Sequence, residues 1–157
     1  MQLSLQVNDI LRLPNARETG GEYGMKDDIS RVRLSYGRAI AKPGFLPRFY
    51  DIFLASDRAI ARKFINTDLE KQQELLAMSV NMVILFPQEN KIAKNAVGRI
   101  RKSHCREGLN IEPHFYELWK SSLIQAVSEH DMEYNPEIGG SWQKILQIAV
   151  DHIVEGY

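Results

Sequence analysis

Residues 93–109 read AKNAVGRIRKSHCREGL, and they place a single histidine, His104, at the inner end of an otherwise apolar helical stripe. Ala93, Ala96, Val97 and Ile100 precede it at three- and four-residue spacings, so the five side chains share one helix face. Lys94, Arg99, Arg101, Lys102 and Arg106 occupy the outer side, and Gly108 is expected to close the helix in the left-handed conformation. His104 therefore points inward. A histidine so placed is either a core residue satisfied by a neighbouring carbonyl or a ligand, and the residues around it must discriminate. Cys105 follows at about 100° around the helix and reads as packing.

Composition narrows the field. A chain of 157 residues, 44% of them hydrophobic, suffices for one buried core. Its 20 basic and 20 acidic residues cancel, which argues against nucleic acid as a partner. The longest unbroken apolar run, MVILF at 82–86, falls far short of the roughly 20 residues that a bilayer span needs. MQLSLQVNDILRL at the N-terminus is interrupted too often by polar residues to make a signal peptide. A cytoplasmic protein with no membrane partner is expected, and the lone Cys105 fits a reducing compartment.

The rest of the chain is periodic in the helical sense. Residues 1–27 read as an N-terminal extension: Leu3, Leu5 and Val7 alternate, Ile10, Leu11 and Leu13 follow, and NARETGGEYG reads as a tether rich in turn formers. The main domain, 28–157, begins with a helix capped by Asp27 or Asp28 and ended by Lys42-Pro43-Gly44, with Ile29, Val32, Leu34, Tyr36 and Ile40 as its apolar members. A helix near Pro47 carries Phe49, Tyr50, Phe53 and Leu54, and Ser56-Asp57 is placed to cap a short one over 58–64. Asn66-Thr67-Asp68 opens a long helix through Leu69, Gln72, Leu76, Val80 and Val83, which Pro87 ends. After the His104 helix, Pro113 starts another with Phe115, Leu118, Trp119, Leu123, Ala126 and Val127. The last helix follows Pro136 with Ile138, Trp142, Ile145, Ala149 and Ile153. The expected architecture is all-α.

The Gln72 helix and the His104 helix are joined by a short polar link around 88–91, so they should face each other. One presents a glutamine on its apolar stripe, the other an imidazole. That pair across an apolar space is what a haem pocket needs: one neutral imidazole for the iron, and a hydrogen-bond donor beside the opposite face.

From about residue 28 the chain resembles the bacterial single-domain globins, the bacterial haemoglobins and the globin domains of flavohaemoglobins. The resemblance rests on FYDIF at 49–53, Phe64, DLEKQQELLAM at 68–78, SHCREGL at 103–109, EPHFYELW at 112–119 and Trp142, all in family order. It implies a globin fold of seven to eight helices around haem b. It makes His104 the proximal iron ligand, Phe64 and Ile100 packing residues of the porphyrin, Tyr50 and Gln72 the distal polar pair, and Leu76 the apolar residue over the gas site. Gln73 is the alternative to Gln72 at one residue's offset; the stripe of Leu69, Leu76 and Val80 favours Gln72. His104 is expected to donate its other ring N–H to the carbonyl of Ile100 or Arg101.

One motif departs from the pattern. The bacterial haemoglobins carry a tyrosine directly after the histidine that starts the penultimate helix, in a polar network behind the proximal imidazole. Here His114 is followed by Phe115, with Tyr116 one position further. A strong electron-donating push and peroxidase-like chemistry are therefore not expected. His114 reads as a surface or helix-start residue, and His130 and His152 are unassigned; each reads as solvated in preference to a ligand.

The functions implied are reversible binding of dioxygen, with nitric oxide and carbon monoxide as further gas ligands, for storage, transport or sensing. Nitric oxide dioxygenase activity with an external reductase is the alternative, and a haem-free regulatory module is a third class. Monomer and homodimer are both compatible with the sequence.

Overall fold

A computed structural model describes residues 16–157. The alternation at Leu3, Leu5 and Val7 and the apolar residues Ile10, Leu11 and Leu13 lie outside the described residues. Among the described residues there are seven α-helices and one 3₁₀ turn, with no strand: α1 (Ala16–Ile40), α2 (Phe45–Ser56), α3 (Arg58–Lys63), α4 (Leu69–Leu85), a 3₁₀ turn (Phe86–Gln88), α5 (Lys91–His104), α6 (His114–His130) and α7 (Pro136–Val154).

Local chemistry sets most of the boundaries. Asp57 caps α3 by accepting from the Ala59 N–H. Asp68 caps α4 through Glu70 and Lys71, Asn90 caps α5 through Ile92 and Ala93, and Asn135 caps α7 through Ile138. Pro87, which has no N–H to continue the ladder, falls in the 3₁₀ turn that follows α4.

Two boundaries differ from the sequence reading. The helix expected to start at Asp27 or Asp28 starts at Ala16, so the tether expected over NARETGGEYG is helical from its second residue. Between Pro14 and Pro43 no proline interrupts the backbone, and glycine alone costs a helix only about 1 kcal/mol per residue. Asp28 caps nothing. Its carboxylate accepts from Ser141 Oγ at 2.7 Å and from Lys144 Nζ at 2.5 Å, fastening α1 to α7. Leu34, expected on the apolar stripe, is exposed, while Ile29, Val32 and Tyr36 are buried.

The second difference follows α5. Gly108 does not adopt a positive φ; the left-handed residue of this loop is Asn110, at φ 48°. The glycine serves close approach instead, because a Cβ there would run into the carbonyl of Ser103.

The core is built by α2 packing on α6, α1 on α7 and α4 on α5. Phe45, Phe49, Leu123, Trp142, Ile145 and Leu146 are almost wholly inaccessible. Burial of that many large apolar side chains is the main favourable term in folding, about 1.5–3 kcal/mol each before entropy is subtracted. Trp142 buries its polar atom as well, its indole Nε1 donating to Ser35 Oγ at 3.0 Å. Among the described residues no helix is long and apolar enough to cross a membrane.

Candidate functional site

Between α4 and α5 the packing leaves a cavity of about 1010 Å³ of atom-free space, its open mouth included. The periodicity of five helices aims side chains into it. Tyr50 and Phe53 come from α2, Gln72 and Leu76 from α4, Ile100 and His104 from α5, Phe115 and Tyr116 from α6, and Ala149 and Val150 from α7. Phe64, the residue directly after α3, completes the wall. The six residues singled out in the sequence, His104, Phe64, Tyr50, Gln72, Leu76 and Ile100, therefore line one space. Gln73 does not line it, which separates the two glutamines by geometry.

His104 is the last residue of α5 and half-buried. Its Nδ1 lies 2.9 Å from Ser103 Oγ, whose hydroxyl donates to the Ile100 carbonyl at 3.0 Å. Because that hydroxyl proton is spent on Ile100, Ser103 accepts from Nδ1–H, and the ring is the tautomer that leaves Nε2 without a proton. The sequence reading sent this N–H to the Ile100 or Arg101 carbonyl; the Ile100 carbonyl does accept from the ring, and Ser103 Oγ stands beside the same nitrogen as a second partner. Burial lowers the pKa of His104 below its ordinary value, and the Ile100 carbonyl draws it partly back.

On the other wall, the Tyr50 hydroxyl donates to the main-chain carbonyl of Gln72 at 3.3 Å. Burial pushes the Tyr50 phenol up to about 12, with a hydrogen bond from the Gln72 side chain as a smaller opposing influence. The Tyr50 ring meets Phe64 edge-on at 6.0 Å between centroids, and Phe64 meets Phe53 in the same manner at 6.1 Å.

Tyr116 and Lys63 also reach the cavity, and the sequence reading assigned neither to it. Phe115 and Tyr116 are consecutive and both buried, because the start of α6 is wedged between neighbouring walls. The one-residue offset seen in the sequence therefore leaves a tyrosine on the cavity. Its hydroxyl has no hydrogen-bond partner among the described residues, and burial pushes it up to about 12. An aromatic pair at the first turn of a helix is the only sequence signal that could have flagged it. Lys63 gives no sequence signal, being one cation in a short basic helix.

The other histidines stay away from the cavity. His114 is exposed, 3.5 Å from the Glu112 carboxylate. His130 and His152 are partly exposed, each with its ring against a neighbour. His130 packs on Phe45 with Nδ1 2.7 Å from the Ala126 carbonyl, and His152 lies on Phe86 at 5.0 Å. Cys105 bonds the Lys102 carbonyl through Sγ at 3.1 Å and does not line the cavity.

Helices packed around an apolar cavity, with an inward imidazole on one wall and a tyrosine and glutamine on another, are the arrangement of a globin. A crystal structure of a Pseudomonas aeruginosa PAO1 protein, described as structurally highly homologous to a human hemoglobin, matches this fold with a TM-score of 0.80. The two chains are 32% identical, and the match covers 83% of this chain and 98% of that one. The chain belongs to the globin family. No family model matches the sequence, and no curated protein matches it.

Proposed function

We propose that the protein binds haem b and, through it, reversibly binds dioxygen, with nitric oxide and carbon monoxide as further gas ligands. The observation that carries the reading is His104, a neutral imidazole on an apolar cavity wall whose Nδ1 is held by Ser103 and whose Nε2 has no protein partner among the described residues. Among those residues no group of three His, Cys, Asp or Glu side chains stands together. A lone imidazole fits a metal ion whose other donors come from a macrocycle.

The surroundings fit the same group. Phe64, Ile100 and Leu76 offer apolar and aromatic contacts to a flat ring, and His104 would hold the iron. Haem supplies a ferrous iron that takes up and releases a diatomic gas. The chain does the remainder. Ser103 fixes the ring of His104, and burial keeps that ring unprotonated. The Tyr50 hydroxyl and the Gln72 amide are the donors available to a gas carrying partial negative charge, which favours dioxygen over carbon monoxide. The apolar walls limit access of water to the pocket.

The test is the absorption spectrum of the purified protein, as isolated, reduced and gassed, beside His104→Ala. A Soret band that shifts with each gas and is lost in the variant is the expected result. A colourless protein that refuses added haem overturns the reading and favours the haem-free module; full haem content in His104→Ala overturns His104 as the ligand.

A further inference from the structure

Lys63 ends α3, lines the cavity and is itself exposed, so it stands where the cavity meets water. Its ammonium donates to two main-chain carbonyls across the opening, Leu109 at 3.4 Å and Asn110 at 3.3 Å. Both belong to the loop that joins α5 to α6 directly after His104. Among the described residues no other side-chain hydrogen bond connects α2, α3 or α4 with loop positions 105–113.

The loop's remaining fastenings come from its own side of the cavity. Leu109 N–H donates to the Ser103 carbonyl at 2.8 Å, and Ile111 N–H to the His104 carbonyl at 3.1 Å. The Tyr157 hydroxyl donates to Asn110 Oδ1 at 2.9 Å, and the Arg106 guanidinium lies 4.8 Å from the Tyr157 ring centroid. At the tip of the loop Leu109 is 59% exposed, and apolar burial resumes only at Ile111, which packs against the core.

We propose that Lys63 is a latch across the cavity mouth that governs how fast the cofactor enters and leaves. With its two bonds broken, the Leu109–Asn110 tip loses its side-chain tie to α3 and swings away from it, widening the passage, while Ile111 remains packed on the core. The inference rests on the haem-binding reading above for its cargo, and on the two bonds for its mechanism. Lys63 makes no hydrogen bond to Tyr50 or Gln72 among the described residues, so its removal is expected to change retention and leave the donors to the gas in place.

The test compares Lys63→Met, which keeps the aliphatic stem and removes the donor, with Lys63→Arg, which keeps a donor. Haem-loaded protein is mixed with excess apomyoglobin, and the rate of haem transfer is read. Loss about tenfold faster in Lys63→Met is expected, the equivalent of one charged hydrogen bond, with Lys63→Arg near the parent rate and the Soret maxima unchanged. An unchanged rate in Lys63→Met, or equal acceleration in Lys63→Arg, overturns the latch. Hydrogen exchange at the Leu109 and Asn110 amides, measured on the haem-free chain, is expected to rise in Lys63→Met, and no rise overturns the latch as well. If the parent takes up no haem, the proposed function falls, and this exchange measurement alone decides whether Lys63 restrains the loop.

Discussion

The hydroxyl of Tyr50 reaches the main-chain carbonyl of Gln72 at 3.3 Å, tying α2 to α4 along the edge of the cavity. The bond is long, so the hydroxyl is loosely committed and can be recruited by a guest in the cavity. With its phenol pushed up to about 12 by burial, Tyr50 stays a donor at any physiological pH. Tyr50→Phe should cost only about 0.5–1 kcal/mol in urea denaturation, because the lost bond is weak. Gas binding should suffer more: dioxygen should leave about tenfold faster, the equivalent of 1.4 kcal/mol. Stopped-flow measurement of dissociation reads this directly. Gln72→Leu should act in the same direction and Gln73→Leu should not, since the Gln73 side chain is off the cavity wall.

The pH dependence of His104 has a definite sign. Burial lowers its folded pKa beneath the ordinary 6.5, so between those two values the unfolded chain binds more protons than the folded one. The contribution to stability is complete above about pH 6.5 and is lost as pH falls through the lowered folded value. Denaturation midpoints of the haem-free protein should therefore drop between pH 7.5 and 5.5, and His104→Gln should flatten that slope. Haem retention should fall over the same interval, since a proton and iron compete for Nε2. Equal slopes for parent and variant would assign the acid sensitivity to other groups.

Features written in short-range chemistry were legible before the fold was known. Asp57 and Asp68 each bond an N–H two or three residues ahead, so the helix starts they make can be read from a few neighbours; Asn90 and Asn135 cap in the same way, though the sequence reading took 88–91 only as a polar link and started the last helix from Pro136. The start of α1 could not be read that way. Asp27 and Asp28 look like caps, and only the arrival of Ser141 and Lys144, more than a hundred residues later, reveals what Asp28 does. The stripe that carries Ile100 and His104 and the stripe that carries Gln72 and Leu76 converge on one cavity because helical periodicity dictates the facing sides. Lys63 and Tyr116 were invisible for the opposite reason. What brings Lys63 to the mouth is the position of the loop at Leu109 and Asn110, and what buries Tyr116 is the wedging of α6, both products of tertiary packing.

A second acid-sensitive point lies far from the cavity. The Asp131 side chain is fully buried just after α6 and takes a two-point bond from Arg38 on α1, Nε at 2.5 Å and Nη2 at 3.0 Å. Burial alone would raise this carboxyl; the Arg38 guanidinium, the Ser35 hydroxyl and the Glu133 N–H together hold it below the ordinary 3.8. Stability from this group is complete above pH 3.8 and is lost as pH falls through the lower folded value. Asp131→Asn should cost about 2–3 kcal/mol at pH 7, because the Arg38 charge loses its buried two-point partner, keeping only the exposed Glu133 carboxylate, and the Ser35 hydroxyl that holds Trp142 faces a weaker acceptor. Urea denaturation at pH 7 and at a pH well below 3.8 should show the gap between parent and variant narrowing in acid. A gap that stays constant would mean that the carboxylate's charge contributes nothing.

Gly108 is the most sensitive backbone position behind the imidazole. A Cβ at this residue would meet the carbonyl carbon of Ser103 at 3.0 Å and approach its oxygen more closely still. That oxygen already accepts from the Leu109 N–H at 2.8 Å, so neither backbone can yield without losing the bond. The same Ser103 holds the His104 ring through its hydroxyl at 2.9 Å. Gly108→Ala should therefore destabilise the fold by about 1–3 kcal/mol, the usual cost of forcing a methyl into packed backbone. It should also move the imidazole resonances of His104 in NMR spectra of the haem-free protein. Gly98→Ala is the control within α5, where an added Cβ meets nothing within 4 Å and should stabilise the helix by about 0.5–1 kcal/mol. If both variants unfold at the same denaturant concentration with unmoved His104 signals, the close approach of Gly108 to Ser103 does not set the geometry of the ring.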